Sequence, residues 1–193
     1  MPCDCPDYPP IKLDRQSITR RIKQSPQIRN RLTQIAEHTD LRLYLFRCPE
    51  CGQLWQTGHE WNFADREYLF QVPPVEVADW QREPYRQPAA MMIYSAVMQD
   101  FCARATFETG DSACRAGGCT QHALRLSVFC REHHIESLQQ RGQLPKKPVG
   151  RLFPPYYVET QTWANLRAGD AGLRSAVYPG SGDRRADAER WVV

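Results

Sequence analysis

The feature that most constrains this chain is the grouping of its eight cysteines, at positions 3, 5, 48, 51, 102, 114, 119 and 130 of 193 residues. All but Cys102 have a second Cys or a His within five residues. The N-terminal stretch MPCDCPDYPP has neither the basic start nor the apolar run of a secretory signal, and no apolar segment approaches the ~18 residues of a membrane span. The expectation is a soluble cytoplasmic protein without a membrane partner. Thiols stay reduced in that compartment, so closely spaced cysteines there point to metal ligands rather than disulfides. Zinc is the natural occupant, because it holds thiolates tetrahedrally without redox chemistry of its own.

Cys48-Pro-Glu-Cys51-Gly52 resembles a zinc knuckle: two thiolates two residues apart grip one ion across a tight turn, and the glycine lets the backbone fold beneath the sulfurs. A knuckle supplies two of four ligands. Cys3 and Cys5 are the unspent thiols assigned to complete this first site, with His59 as the alternative third ligand. The second constellation is Cys114-x4-Cys119-x10-Cys130-x2-His133, with His134 as a substitute ligand. Gly117-Gly118 allows the first pair to close a turn, Thr120 to Phe129 suits a hairpin, and Cys130 and His133 fall on one face of a starting helix. That order of knuckle, hairpin and helix start, over residues 114 to about 142, resembles a treble-clef zinc finger. The resemblance implies a second structural zinc. The count leaves Cys102, read as core packing.

Elsewhere the pattern predicts an α+β fold, a small antiparallel sheet with helices stabilised by two structural Zn2+ sites. Residues 14–38 read as helix in two pieces, with Ser25 capping a second piece opened by Pro26, and Ile18, Ile22, Leu32 and Ile35 as apolar faces. Leu41–Phe46 alternates as a strand leading into the knuckle, Leu54 and Trp55 begin its return, and Glu67–Val72 is a third strand stopped by Pro73-Pro74. Residues 76–88 read as an extended or short helical connection, and a buried helix follows from Pro88 to about residue 107. The expected organisation is an N-terminal helical segment and knuckle sheet over 1–87, a buried helix and treble-clef-like module over 88–145, and a loop-rich tail packed on the body over 146–193, with Trp163 and Trp191 able to dock.

A balance of 25 Lys+Arg against 22 Asp+Glu excludes a strongly polyionic protein, but the charges are segregated. Arg15, Arg20, Arg21, Lys23, Arg29 and Arg31 occur without an intervening acid, and Arg141, Lys146, Lys147 and Arg151 form a second basic cluster. This pattern suits either a solvated helix face or a nucleic-acid footprint. Glu60, Asp65, Glu67, Glu76, Asp79 and Glu83 instead mix with Trp61, Phe63 and Trp80 as a protein-binding face or, for the aromatics, a small core. The common catalytic signatures are missing from the sequence. No catalytic residue is assigned, and a non-enzyme is expected.

CPECGQLW followed by that acidic, aromatic segment resembles bacterial immunity proteins that neutralise a cognate toxin. The resemblance implies recognition of another protein, such as a toxin with a basic cleft, through Glu60, Trp61, Asp65 and Glu67. The alternatives are a zinc-dependent nucleic-acid-binding or regulatory protein using the basic helix, and a His-metal nuclease with His122 as its base.

Overall fold

The computed structural model describes residues 3–62 and 64–157. Phe63 and the part of the expected tail from residue 158 onward, including Trp163 and Trp191, lie outside the described residues. The fold is α+β: a four-stranded antiparallel sheet, a two-stranded sheet and helices. No helix among the described residues is long and apolar enough to cross a membrane.

Helix α1 (Arg15–Arg29) starts where Asp14 accepts the Ser17 N–H at 2.7 Å, satisfying one of the orphan donors of the first turn. It continues through Pro26 and ends at Arg29, and strand β1 (Thr33–His38) follows. The expectation of two helices over 14–38 is therefore corrected. Pro26 lies in the last turn, where a missing N–H removes one bond shortly before the helix stops. Residues 33–38 become a strand because pairing with the next strand outweighs a weak helical periodicity.

Strands β1, β2 (Leu43–Arg47), β3 (Leu54–His59) and β4 (Glu67–Val72) pair as a meander in that order. Side-chain alternation divides the sheet into two apolar faces. Leu43, Leu45, Leu54, Tyr68, Phe70 and Val72 enter the larger core with Ile11, Ile18, Trp80, Tyr85, Phe153 and Tyr156. Phe46, Trp55 and Leu69 face the other way, against Ile28, Cys5 and Tyr8. Both faces being covered explains why β3 is buried from Leu54 through Gly58. Helix α1 closes the open edge of β4. Ser25 Oγ accepts the Leu69 N–H at 2.9 Å, and Arg21 Nη1 donates to the Leu69 carbonyl at 3.2 Å, so an exposed ladder is not left to pair with another chain.

Short helix α2 (Val77–Arg82) lies within the expected connection. It places Trp80 in the core with no exposure, so Trp80 is a core residue and not part of an exposed binding face. Its indole donates at 2.7 Å to Gln56 Oε1, which also accepts the Tyr85 N–H, while Gln56 Nε2 donates to the Tyr85 carbonyl. A buried amide with this full set of partners avoids the cost of an unmet polar group.

Helix α3 (Pro88–Arg104) begins in the larger core through Ala89 and Met91. Farther along it joins a smaller core through Met98, with Ile135 and Leu144. The expectation of a buried helix is corrected. Ala96, Val97, Gln99 and Asp100 are exposed, because only one side of the second half finds a partner. Strands β5 (Thr109–Ala113) and β6 (His122–Leu124) form the small sheet, and helix α4 (Arg131–Gln140) follows. The expected 120–129 hairpin is thus displaced. The main pairing spans the 114–119 turn, and residues 124–129 make a tight reversal in which Leu124 N–H donates to the Phe129 carbonyl.

Candidate metal centres

The first centre is built on the turn between β2 and β3. Cys48 N–H donates to the Gln53 carbonyl at 2.9 Å and Gly52 N–H to the Cys48 carbonyl at 3.0 Å, while Gly52 takes φ +76°, a conformation that favours glycine. This places Cys48 inside and Cys51 at the surface. Cys3 and Cys5 arrive on the N-terminal segment, which is held by Gln71 Nε2 on the Cys5 carbonyl at 2.6 Å, Arg21 Nη2 on the Pro9 carbonyl at 2.7 Å and an Arg31–Asp4 ion pair. The four sulfurs lie within 4.8 Å of one another. His59 is elsewhere: its Nε2 is 3.0 Å from the Arg42 carbonyl and its Nδ1 is 3.4 Å from Asp65, so it does not complete this centre.

The second centre gathers one residue from each part of a small module. Cys114 follows β5, Cys119 follows a turn with Gly118 at φ +74°, Cys130 caps α4 and His133 sits in its first turn. The four ligand atoms again lie within 4.8 Å. His133 Nδ1 is 3.2 Å from Cys130 Sγ and 3.5 Å from Cys114 Sγ, and Cys119 Sγ is 3.9 Å from Cys130 Sγ. Bonds of about 2.3 Å from a tetrahedral ion to sulfur imply sulfur separations of about 3.8 Å, so both clusters fit a single ion. His134 is turned away, with Nδ1 3.1 Å from Ser127 Oγ.

The thiols are unequal for local reasons. The Gln53 N–H aimed at Cys51 lowers its pKa to about 7, whereas burial pushes Cys5 up to about 12. The N–H of Cys5 favours ionised Cys3, but hydrogen bonding to Cys51 and burial leave Cys3 raised. Burial opposes ionisation of Cys114, yet N–H groups of Cys130 and Ala116 and the neighbouring thiols bring it down to about 6. Cys119 is raised: the Gln121 N–H draws it down, but burial and its bonds to Cys114 and Cys130 prevail. Cys51 at the first cluster and Cys114 at the second ionise readily, while Cys3 and Cys5 at the first and Cys119 at the second hold protons that a metal would displace.

The charged segments interlock. Arg29 pairs with Glu67, Arg42 with Asp65 at 2.9 Å and Arg66 with Glu60 at 3.0 Å, while Arg15 lies over the Trp61 ring. Asp79 pairs with Arg82 at 3.2 Å, and Glu83 lies 4.0 Å from Arg151. Glu60 is itself buried, so of the four residues expected at a partner surface it lies underneath, whereas Trp61 and Glu67 are partly exposed and Asp65 is exposed. Cys102 is half-buried near the end of α3 and outside both clusters, and His122 is exposed on β6.

Sequence reasoning missed Arg21 and Trp55 beside the first centre. The available signal was the stripe Ile18, Arg21, Ser25 and Ile28, whose spacing places an arginine on the buried face of α1. No protein-family model matches this chain, and no curated protein or solved structure shows a significant match to it.

Proposed function

We propose that the chain is a non-catalytic protein braced by two structural zinc ions, and that it recognises another protein through the loop between β3 and β4. Four protein ligands at each cluster would fill the tetrahedral shell of Zn2+ and leave no position for an activated water. The thiolate-rich ligand sets favour zinc among the common divalent ions. The second module has the order of turn, reversal and helix start that a treble clef uses to hold such an ion.

The observation that carries the recognition reading is the way the loop is held from beneath. Glu60 is buried, its carboxylate accepts both the N–H and the Nε–H of Arg66, and its own N–H donates to the Arg66 carbonyl at 2.9 Å. Asn62 braces the same loop by accepting the Ala64 and Asp65 N–H groups, each at 3.0 Å. A loop fixed before binding loses less entropy when it docks. It carries Trp61 and Asp65, an aromatic and acidic pair suited to a partner with a basic cleft, as in the toxin recognised by an immunity protein. Arg21 of the basic segment is buried, which takes it out of reach of a phosphate backbone.

Native mass spectrometry of the protein purified gently from its host tests the proposal. The expected species holds two zinc ions and one protein partner, and the partner is lost in a Trp61→Ala/Asp65→Arg variant but kept in Arg20→Ala/Lys23→Ala. Nucleic acid released by salt and lost in the second variant would overturn the recognition reading, and a metal-free chain would overturn the structural-zinc reading.

A further inference from the structure

Trp55 combines complete burial with an unspent hydrogen-bond donor: its ring has no exposure, and Nε1 has no partner within hydrogen-bond reach. An indole N–H confined in an apolar core is costly unless it finds an acceptor. The nearby Trp55 indole favours ionisation of the Cys5 thiol, as an N–H donor beside the sulfur would. Cys5 packs against the same small cluster as Trp55, with Tyr8 edge-on to the indole at 5.8 Å.

Arg21 completes the arrangement. Its side chain is buried in the same place, with the guanidinium 5.7 Å from the centres of both the Trp55 and Tyr8 rings. Its hydrogen bonds go to the carbonyls of Leu69 and Pro9 and to the Gln24 amide oxygen, so the described residues place no carboxylate on this buried cation. A divalent ion held by four thiolates carries net negative charge. A buried cation beside the indole that packs with Cys5 would help to stabilise that charge.

We propose that Trp55 is a positioning residue of the first metal centre, donating its indole N–H to the metal-bound Cys5 thiolate, with Arg21 as the buried positive charge behind it. The proposal rests on Cys3, Cys5, Cys48 and Cys51 holding a metal. An N–H···S bond fixes the direction of the sulfur lone pairs and takes up part of the thiolate charge, which strengthens ligation. It also joins the metal to the centre of the sheet, since Trp55 lies on β3 between the paired strands β2 and β4. The orphan donor in the core and the metal at the rim would then satisfy each other.

Full-length, isotope-labelled protein loaded with 113Cd2+ provides a direct test, with the Trp55 indole identified by its proximity to the Tyr8 ring. The expected spectrum has two cadmium resonances, one of which shows scalar coupling to the Trp55 Nε1 proton. In competition titrations, Trp55→Phe is expected to lower cadmium affinity at the first centre on the order of 10-fold and leave the second unchanged. Two bound cadmium ions with no coupling and equal affinity in the variant would overturn the role of Trp55 alone. Binding only at the second centre would overturn the metal reading of the first and this proposal with it. The coupling is measured on the unaltered protein, so the test does not depend on the variant folding.

Discussion

The two candidate metal centres are matched in ligand number and opposite in setting. The first lies at the rim of a sheet whose two faces are already filled by Ile18, Leu43, Leu45, Trp55, Tyr68, Phe70 and Trp80. The second lies in a module backed by a small cluster of buried Met98, Ile135 and Leu144, with Ala123 also buried. A well-covered sheet can hold its shape through burial, and an ion bound there would act mainly as a clasp on the N-terminal segment. A small sheet and one short helix bury little surface, so there an ion would take the place of a core. The same tetrahedral chemistry thus carries different structural weight according to what the neighbouring chain can bury.

The most severe test of this contrast is Cys130→Ser, which removes a ligand and alters the cap of α4. Loss of the second ion is expected to remove apparent stabilisation on the order of 10 kcal/mol. Hydrogen exchange should then show residues 109–140 unprotected while β1–β4 stay protected. Collapse of protection in the four-stranded sheet as well would break the contrast. Cys5→Ser is expected to cost less, a few kcal/mol, comparable to uncovering one large apolar side chain. It should release the first ion and leave residues 3–10 open to proteolysis with the sheet intact.

A smaller effect concerns protons. At neutral pH Cys3 and Cys5 at the first centre are held protonated, as is Cys119 at the second, whereas Cys51 is partly ionised and Cys114 more so. Metal must displace the held protons, so affinity falls as pH falls, and more steeply at the first centre. Titration calorimetry in buffers of different ionisation enthalpy should show about one more proton released per ion there, and acidification should strip it first. The smallest expected change is His134→Ala. Its removal costs roughly 1 kcal/mol through the Ser127 contact, with metal content unchanged, whereas His133→Ala loses the second ion.

Much of the sheet region was legible in order. Glu67–Val72 is a strand with the expected bounds, stopped by Pro73-Pro74, β2 and β3 flank the Cys48–Cys51 turn, and α3 begins at Pro88. These elements follow from local rules: period-two alternation, a glycine able to adopt positive φ, and a proline suited to a first helical turn. Residues 33–38 are ambiguous in the sequence because Leu32 and Ile35 fit a helical spacing as well as a strand, and pairing with β2 decides between them. The charge blocks are segregated along the chain, yet Arg29 of the basic block meets Glu67 of the acidic one once α1 packs on the sheet.

By itself, the sequence determined the ligand pairs, because two thiols a few residues apart can reach one ion only through a tight turn or a helix start, and both are written in local spacing. Tertiary structure alone decided that Cys3 and Cys5, rather than His59, stand beside Cys48 and Cys51, that Trp80 is core, and that Trp55 packs with Cys5 and Arg21. Those outcomes depend on residues more than 20 positions apart meeting across a folded sheet. Such meetings are set by the packing of whole elements, which no short pattern in the chain encodes.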